Sequence, residues 1–180
     1  MTIRLYGASL LYAMTVSHAS MAPMPNVPID RLELRRYLGT WHEIAHLPMR
    51  YQKQCIDDIT ATYVMRDDGM VTVRNACRQK DGKHDAADGV ARTIKGKPGA
   101  LEVTFVPSWL RWLPFVWADY WVVELDPNYE WAVVGGPSRK YMWVLSRTPA
   151  MSRETFARLC DHARRRGYDV DRLVMSGPLR

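Results

Sequence analysis

Cysteine is scarce in this chain, and several absences around it narrow the chemistry. Three cysteines stand among 180 residues, none in a paired Cys-x-x-Cys motif, which excludes a zinc site built on thiolates. No Gly-x-Ser-x-Gly elbow and no phosphate-binding glycine loop occurs, so the signatures of serine hydrolases and nucleotide enzymes are missing. Runs of like charge are nearly absent: the only three consecutive cations are Arg164-Arg165-Arg166, where the last turn of a helix favours cations anyway. The formal charge of +6 therefore reads as a solvated basic surface, and no nucleic-acid partner is expected. Neither an internal repeat nor a second domain is visible.

What is present fits one domain. The apolar fraction of 47% and charged fraction of 24% are ordinary for a globular chain of this length. Residues 1–19 read as an export signal: Arg4 supplies a positive start, Leu5 to Val16 an apolar stretch too short to span a bilayer, and Ser17-His18-Ala19 small residues at the cleavage positions. Residues 20–29, proline-rich from Ala22 to Pro28, are expected to form a flexible leader to a domain over 30–176.

Within that domain, turn signals separate eight strand-like runs. They are Gly39 to Leu47, Asp58 to Arg66, Met70 to Arg78, Ala86 to Lys95, Leu101 to Val106, Trp117 to Asp126, Glu130 to Gly135 and Lys140 to Arg147. Short meandering strands without a long crossover predict an all-β fold, an eight-stranded antiparallel up-and-down β-barrel. Ser152 then caps a helix carrying Phe156, Leu159, Cys160 and Ala163 on one face and ending at Gly167. Its one-sided apolar stripe predicts packing on the outside of the barrel, with Leu173-Val174-Met175 as a last short strand.

Three segments make a set: Gly39-Thr40-Trp41, Leu125-Asp126-Pro127-Asn128-Tyr129, and Ser146-Arg147-Thr148-Pro149. At that spacing the chain resembles the lipocalin family, and the strings Tyr37 to Ala45 and Tyr141 to Pro149 resemble its bacterial branch. The resemblance implies a lipid carrier in which Arg147 packs across the Trp41 indole and closes the barrel floor, a structural role. Some bacterial relatives are anchored through a cysteine at the cleavage site; the first cysteine here is Cys55, so a soluble, exported, periplasmic protein is expected, with association at the outer membrane without such an anchor as the alternative.

An eight-stranded barrel is just wide enough to fill itself with side chains or to hold one small ligand. If Trp41 points inward, as the resemblance implies, the two-residue period brings Glu43 and Ala45 with it. The same period brings Ala61, Tyr63, Val73, Asn75, Gly89 and Ala91 inward, followed by Leu101, Val103 and Phe105. Later strands contribute Tyr120, Val122, Ala132, Val134, Tyr141 and Trp143. Small residues leave room and aromatic rings line a slot, so a hollow barrel is expected, with Ala45, Ala61, Tyr63, Val73, Asn75, Val103, Phe105, Tyr120, Val122, Tyr141 and Trp143 as ligand contacts. No Lys or Arg faces inward on this reading. Arg50, Lys53, Arg111, Arg139 and Lys140 fall around the mouth, while Glu43 and Glu124 lie deeper. A fatty acid or lysophospholipid would thus enter tail first and leave its anionic head among the cations. No cofactor is expected.

Other features compete for a role. His42-Glu43-Ile44-Ala45-His46 spells the HExxH string of zinc proteases, but that motif works on a helix; on a strand the two histidines stand about 13 Å apart. The segment Pro107 to Trp117 holds three of the seven tryptophans where a loop is normally polar. Its residues Trp109, Arg111, Trp112 and Phe115, with Arg139, read as a lid over the ligand, a wedge into a membrane interface, or a contact in a homodimer. Cys55 and Cys77 approach the same end of the hairpin turned at Arg66 to Gly69, so a disulfide between them is expected, with Cys160 free and buried. Were that bond absent, a cavity thiol at Cys77, with Glu43 or His46, would allow a lipocalin-fold enzyme.

Overall fold

The computed structural model describes residues 22–49 and 54–180; the expected export signal and the mouth residues Arg50 and Lys53 lie outside them. Eight antiparallel strands form the barrel: β1 (Gly39–His46), β2 (Cys55–Met65), β3 (Val71–Gln79), β4 (His84–Ile94), β5 (Lys97–Thr104), β6 (Ala118–Leu125), β7 (Trp131–Gly135) and β8 (Trp143–Ser146). Each pairs with its sequence neighbour, and β1 closes the ring by pairing with both β2 and β8. A short strand, β9 (Val174–Met175), lies against the second half of β1, where β2 has diverged.

Alternation divides the apolar residues into two buried clusters. The inner one gathers Trp41, Tyr63, Val73, Ala91, Leu101 and Val122 with others inside the barrel. The outer one joins Ile44, Val123, Val133 and Val144 to Leu159, Ala163 and Tyr168, placing helix α2 (Arg153–Arg165) on the outer wall. Ser152 accepts a hydrogen bond from the Thr155 amide at its start. At its end Gly167 has φ +88°, which a glycine adopts without strain. Tyr168 and Gly167 amides then return to the Ala163 and Arg164 carbonyls, satisfying two acceptors that the helix leaves open. Glu124 of β6 accepts hydrogen bonds from His162 at 2.8 Å and Arg166 at 3.2 Å, clamping helix to barrel.

Two bulges correct the inward assignments. On β1 the register slips between Glu43 and Ala45, so that Glu43 faces Leu145 and Ala45 faces Val144. One extra residue reverses the parity beyond it, and Ala45 joins Ile44 in the outer cluster rather than lining the interior. On β6 a second slip between Val122 and Glu124 puts Val123 in the outer cluster and turns Glu124 toward α2 instead of into the barrel.

The leader is held rather than loose over residues 22–29. Ile29 donates to the Val122 carbonyl at 2.8 Å and accepts from the Gly99 amide at 3.1 Å, bridging β5 and β6 beyond their last paired residues, Ala100 and Trp121. A Cβ on Gly99 would fall 2.5 Å from the Ile29 carbonyl oxygen, so glycine is what lets the leader in. Farther out, Asn26 is bonded to the Gly136 carbonyl and to the Tyr168 hydroxyl. A proline-rich segment loses little entropy when pinned in this extended form.

Candidate functional site

Strand direction sets the two ends of the barrel. At the floor a helical turn, α1 (Leu34–Tyr37), runs into β1. The Arg147 guanidinium lies 3.8 Å from the Trp41 ring centroid and donates to the carbonyls of Arg36, Thr40 and Tyr129. Trp41 in turn donates its indole N–H to the Tyr37 carbonyl at 2.8 Å. Above it the rings of Tyr37, Tyr63 and Tyr120 follow at centroid separations of 4.9, 5.7 and 6.0 Å along the series from Trp41.

A void of about 10 Å³, room for about one water molecule, lies between Tyr37, Tyr63 and Tyr120 on one side and aliphatic residues, including Val73 and Val103, on the other. Burial pushes the Tyr63 phenol up to about 12 and raises Tyr37 and Tyr120 well above the usual value, since a phenolate would be desolvated there. All three are neutral hydrogen-bonding groups in an otherwise apolar chamber. Leu34, Tyr37 and Val71 line this void without having been expected there; Val71 shares the parity of Val73, whereas Leu34 and Tyr37 precede the first strand and carry no periodic signal.

The expected contact residues sort into three places. Tyr63, Val73, Val103 and Tyr120 meet around the void, and Val122 and Ala61 belong to the same inner cluster. Toward the mouth, Asn75 and Trp143 are half-buried, and Phe105 and Tyr141 are 43% and 40% exposed. Tyr141 stacks on Trp143 at 6.3 Å. Phe105 stands over Gly89, where a Cβ would come within 2.8 Å of its ring. Ala45 alone of the set lies outside the barrel wall.

The mouth loop between β5 and β6 forms two short 3-10 turns, Ser108–Leu110 and Pro114–Val116. Trp117 donates to the Arg111 carbonyl at 2.8 Å and lies under Arg92 at 4.0 Å, so the loop base is fixed. Its tip turns outward, leaving Trp109, Trp112 and Phe115 exposed by 70%, 78% and 79%; in this structure it is not a lid folded over the interior. Arg111 is tied to the Val106 carbonyl. Arg139 points away from the expected mouth cluster, donating to the Arg166 carbonyl beyond α2.

The catalytic alternatives lose their geometry. His42 and His46 stand on β1, not on a helix. Glu43, 5% exposed, accepts from the Ser176 hydroxyl at 2.5 Å and lies 2.7 Å from His46 Nδ1, so its carboxylate is engaged within the fold. Among the described residues no group of three His, Cys, Asp or Glu could hold a metal ion. Cys77 is joined to Cys55 as expected and offers no thiolate, while burial raises the pKa of the free Cys160 thiol.

Comparison with known proteins agrees with this geometry. The model of the lipocalin-like domain matches residues 32–177. Temperature-induced lipocalin-1 of Arabidopsis thaliana is 41% identical over 148 residues, covering 81% of this chain and 78% of its own. The outer membrane lipoprotein Blc of Escherichia coli K12 is 36% identical over 174 residues, 94% and 93% of the two chains. In fold, the structure of insecticyanin from Manduca sexta is similar with a TM-score of 0.64 at 18% identity, covering 89% of this chain and 92% of that one. Relatives above 30% identity along most of their length, and a floor closed as the barrel requires, leave one conclusion: the chain belongs to the lipocalin family.

Proposed function

We propose that this protein binds a small hydrophobic ligand, a fatty acid or lysophospholipid, in its barrel and carries or stores it in the cell envelope. The observation that carries the reading is the convergence of Tyr63, Val73, Val103 and Tyr120 below a half-open mouth lined by Asn75, Phe105, Tyr141 and Trp143. The closed part alone is too small for an acyl chain, so the chain lies in the mouth half with its tail against the void. Each buried methylene contributes about 0.8 kcal/mol, enough for micromolar affinity after ordering costs. The residues lining the void carry no charge, which leaves an acidic head at the mouth. Residues 1–19 serve export in this reading; the Cys55–Cys77 disulfide suits an oxidising compartment, and the similarity to outer membrane lipoproteins supports an envelope location.

Titration with octadecanoic acid, followed by tryptophan fluorescence, tests the proposal. Saturable binding at one site is expected, and Trp143→Glu abolishes it while the far-UV spectrum stays unchanged. Absence of binding by the delipidated protein, or an unaltered affinity in the variant, rejects it.

The exposed Trp109, Trp112 and Phe115 favour a second activity of the same molecule: docking of the mouth on a membrane surface, where indole rings settle at the headgroup level. Vesicles of anionic phospholipid are expected to shift the tryptophan emission to the blue, less so in a Trp109→Ser/Trp112→Ser variant. A patch that instead drives dimerisation gives concentration-dependent sedimentation with no vesicle response.

A further inference from the structure

The mouth half of the barrel carries an imidazole that the fold engages at one nitrogen only. Glu43 faces Leu145 and His46 faces Trp143 across the β1–β8 pair, and directly opposed residues project to the same side of a sheet. Leu145 belongs to the inner cluster and Trp143 packs against it, so both polar side chains point into the barrel. His46 Nδ1 lies 2.7 Å from Glu43 Oε1 and 3.2 Å from Ser176 Oγ, and the Ser176 hydroxyl reaches the same carboxylate oxygen at 2.5 Å. A carboxylate only accepts, so Nδ1 and Oγ each donate a proton to it. The second ring nitrogen, Nε2, has no hydrogen-bond partner among the described residues. Among those residues the sealed side-chain polar atoms without a partner are Asp57 Oδ1, Trp121 Nε1 and Arg166 Nε. Nε2 is therefore open to contact, and with His46 only 8% exposed the opening is narrow.

We propose that His46 Nε2 accepts a hydrogen bond from a hydroxyl group in the head of the bound lipid, so that the barrel selects an acyl ligand with a polyol head, of the acylglycerol kind. The proposal rests on the carrier reading above and specifies its ligand class. With the ring proton held at Nδ1 by Glu43, a neutral imidazole presents a lone pair at Nε2. Glu43 and Ser176 together fix which nitrogen that is and where the ring points, as a partner on one nitrogen does for a metal-ligating histidine. The position agrees. His46 ends β1 at the mouth, about 15 Å along the strand from Trp41 at the floor. A ligand whose tail lies against the void thus brings its head, not its tail, to this ring. A carboxylate head has no proton to offer the lone pair. A glycerol hydroxyl has one and, being neutral, loses less on leaving water.

Competition against a fluorescent fatty acid, using the full chain with 1-octadecanoylglycerol and its dimethyl ether, tests this. The glycerol ester is expected to bind about fivefold or more tighter than the ether, as one added hydrogen bond predicts. His46→Asn, whose amide keeps a donor near the Nδ1 position for Glu43 and has nothing at Nε2, loses that difference. In the unaltered protein labelled with nitrogen-15 histidine, the His46 Nε2 resonance is that of a bare nitrogen and moves to lower frequency with the ester but not with the ether. Equal binding of the two lipids overturns the inference and leaves the carrier reading standing. A preference that survives in the variant, a protonated Nε2 in the complex, or an Nε2 signal that the ester leaves unmoved also overturns it. Failure of both lipids and of octadecanoic acid to bind removes both readings.

Discussion

The guanidinium of Arg147 lies 3.8 Å from the centre of the Trp41 ring while its nitrogens reach the carbonyls of Arg36, Thr40 and Tyr129. One side chain thereby covers the lowest ring of the interior and supplies donors to the chain before β1, to β1 itself and to the turn before β7. It ties together parts of the chain more than a hundred residues apart. The floor is closed by a plane with donors at its edge, a shape that lysine does not have.

Replacing Arg147 with methionine keeps much of the cover but leaves the three carbonyls without this donor. A loss of about 2–3 kcal/mol is expected in urea denaturation. Arg147→Lys should recover little of it. Equal stability of the methionine variant would show that water replaces the guanidinium at no cost.

Alkaline titration should single out the inner phenols. Tyr63 is held up to about 12, and Tyr37 and Tyr120 are raised by the same burial, so these three of the nine tyrosines ionise last in the folded protein. In the unfolded chain they titrate near 10. Below pH 10 both states keep their protons and stability is unaffected. Between 10 and about 12 the unfolded chain releases protons that the fold retains, so stability falls as pH rises. Absorbance of phenolate against pH, with denaturant melts at each step, measures both effects; full ionisation of all tyrosines by pH 10.5 in the native protein would contradict the burial.

Cys55 and Cys77 are 22 residues apart and close a loop spanning the β2–β3 hairpin. Loop-closure entropy assigns their bond about 3 kcal/mol. A Cys55→Ala/Cys77→Ala variant should unfold correspondingly earlier in urea, and the reductant that destabilises the natural chain should leave the variant unchanged.

Ala45→Asp distinguishes the outer from the inner face of β1. Ala45 is fully buried in the outer cluster, so a carboxylate there should cost several kcal/mol and loosen the α2 contact. Thermal melting is the readout. A variant that melts normally and loses only lipid binding would return Ala45 to the interior.

Much of this protein is local and was therefore readable from its residues. Apolar alternation with turn signals determined the strands and their order, because side chains on a strand face opposite sides in turn and each hairpin pairs neighbours. Ser152 and Gly167 determined where α2 begins and ends, and the spacing of Trp41 and Arg147 carried the family. Some boundaries moved for local reasons of another kind: Lys97–Gly99 looks like a turn, yet it belongs to β5, where Lys97 pairs with Ile94 of β4 and the Gly99 amide donates to the Ile29 carbonyl of the leader. The tertiary structure decided the rest. Bulges at Glu43–Ala45 and Val122–Glu124 invert parity by one residue, and their placement follows from facing strands and from α2, which no periodicity along a single strand contains. The bulge also lets His46 Nδ1 approach Glu43 Oε1 at 2.7 Å, across a separation of three that a regular strand would put on opposite faces. Tyr37, Tyr63 and Tyr120 come from three distant segments. Only closure of the barrel brings their hydroxyls together, because the contact is made through space by long side chains from α1 at the floor and from β2 and β6 of the wall.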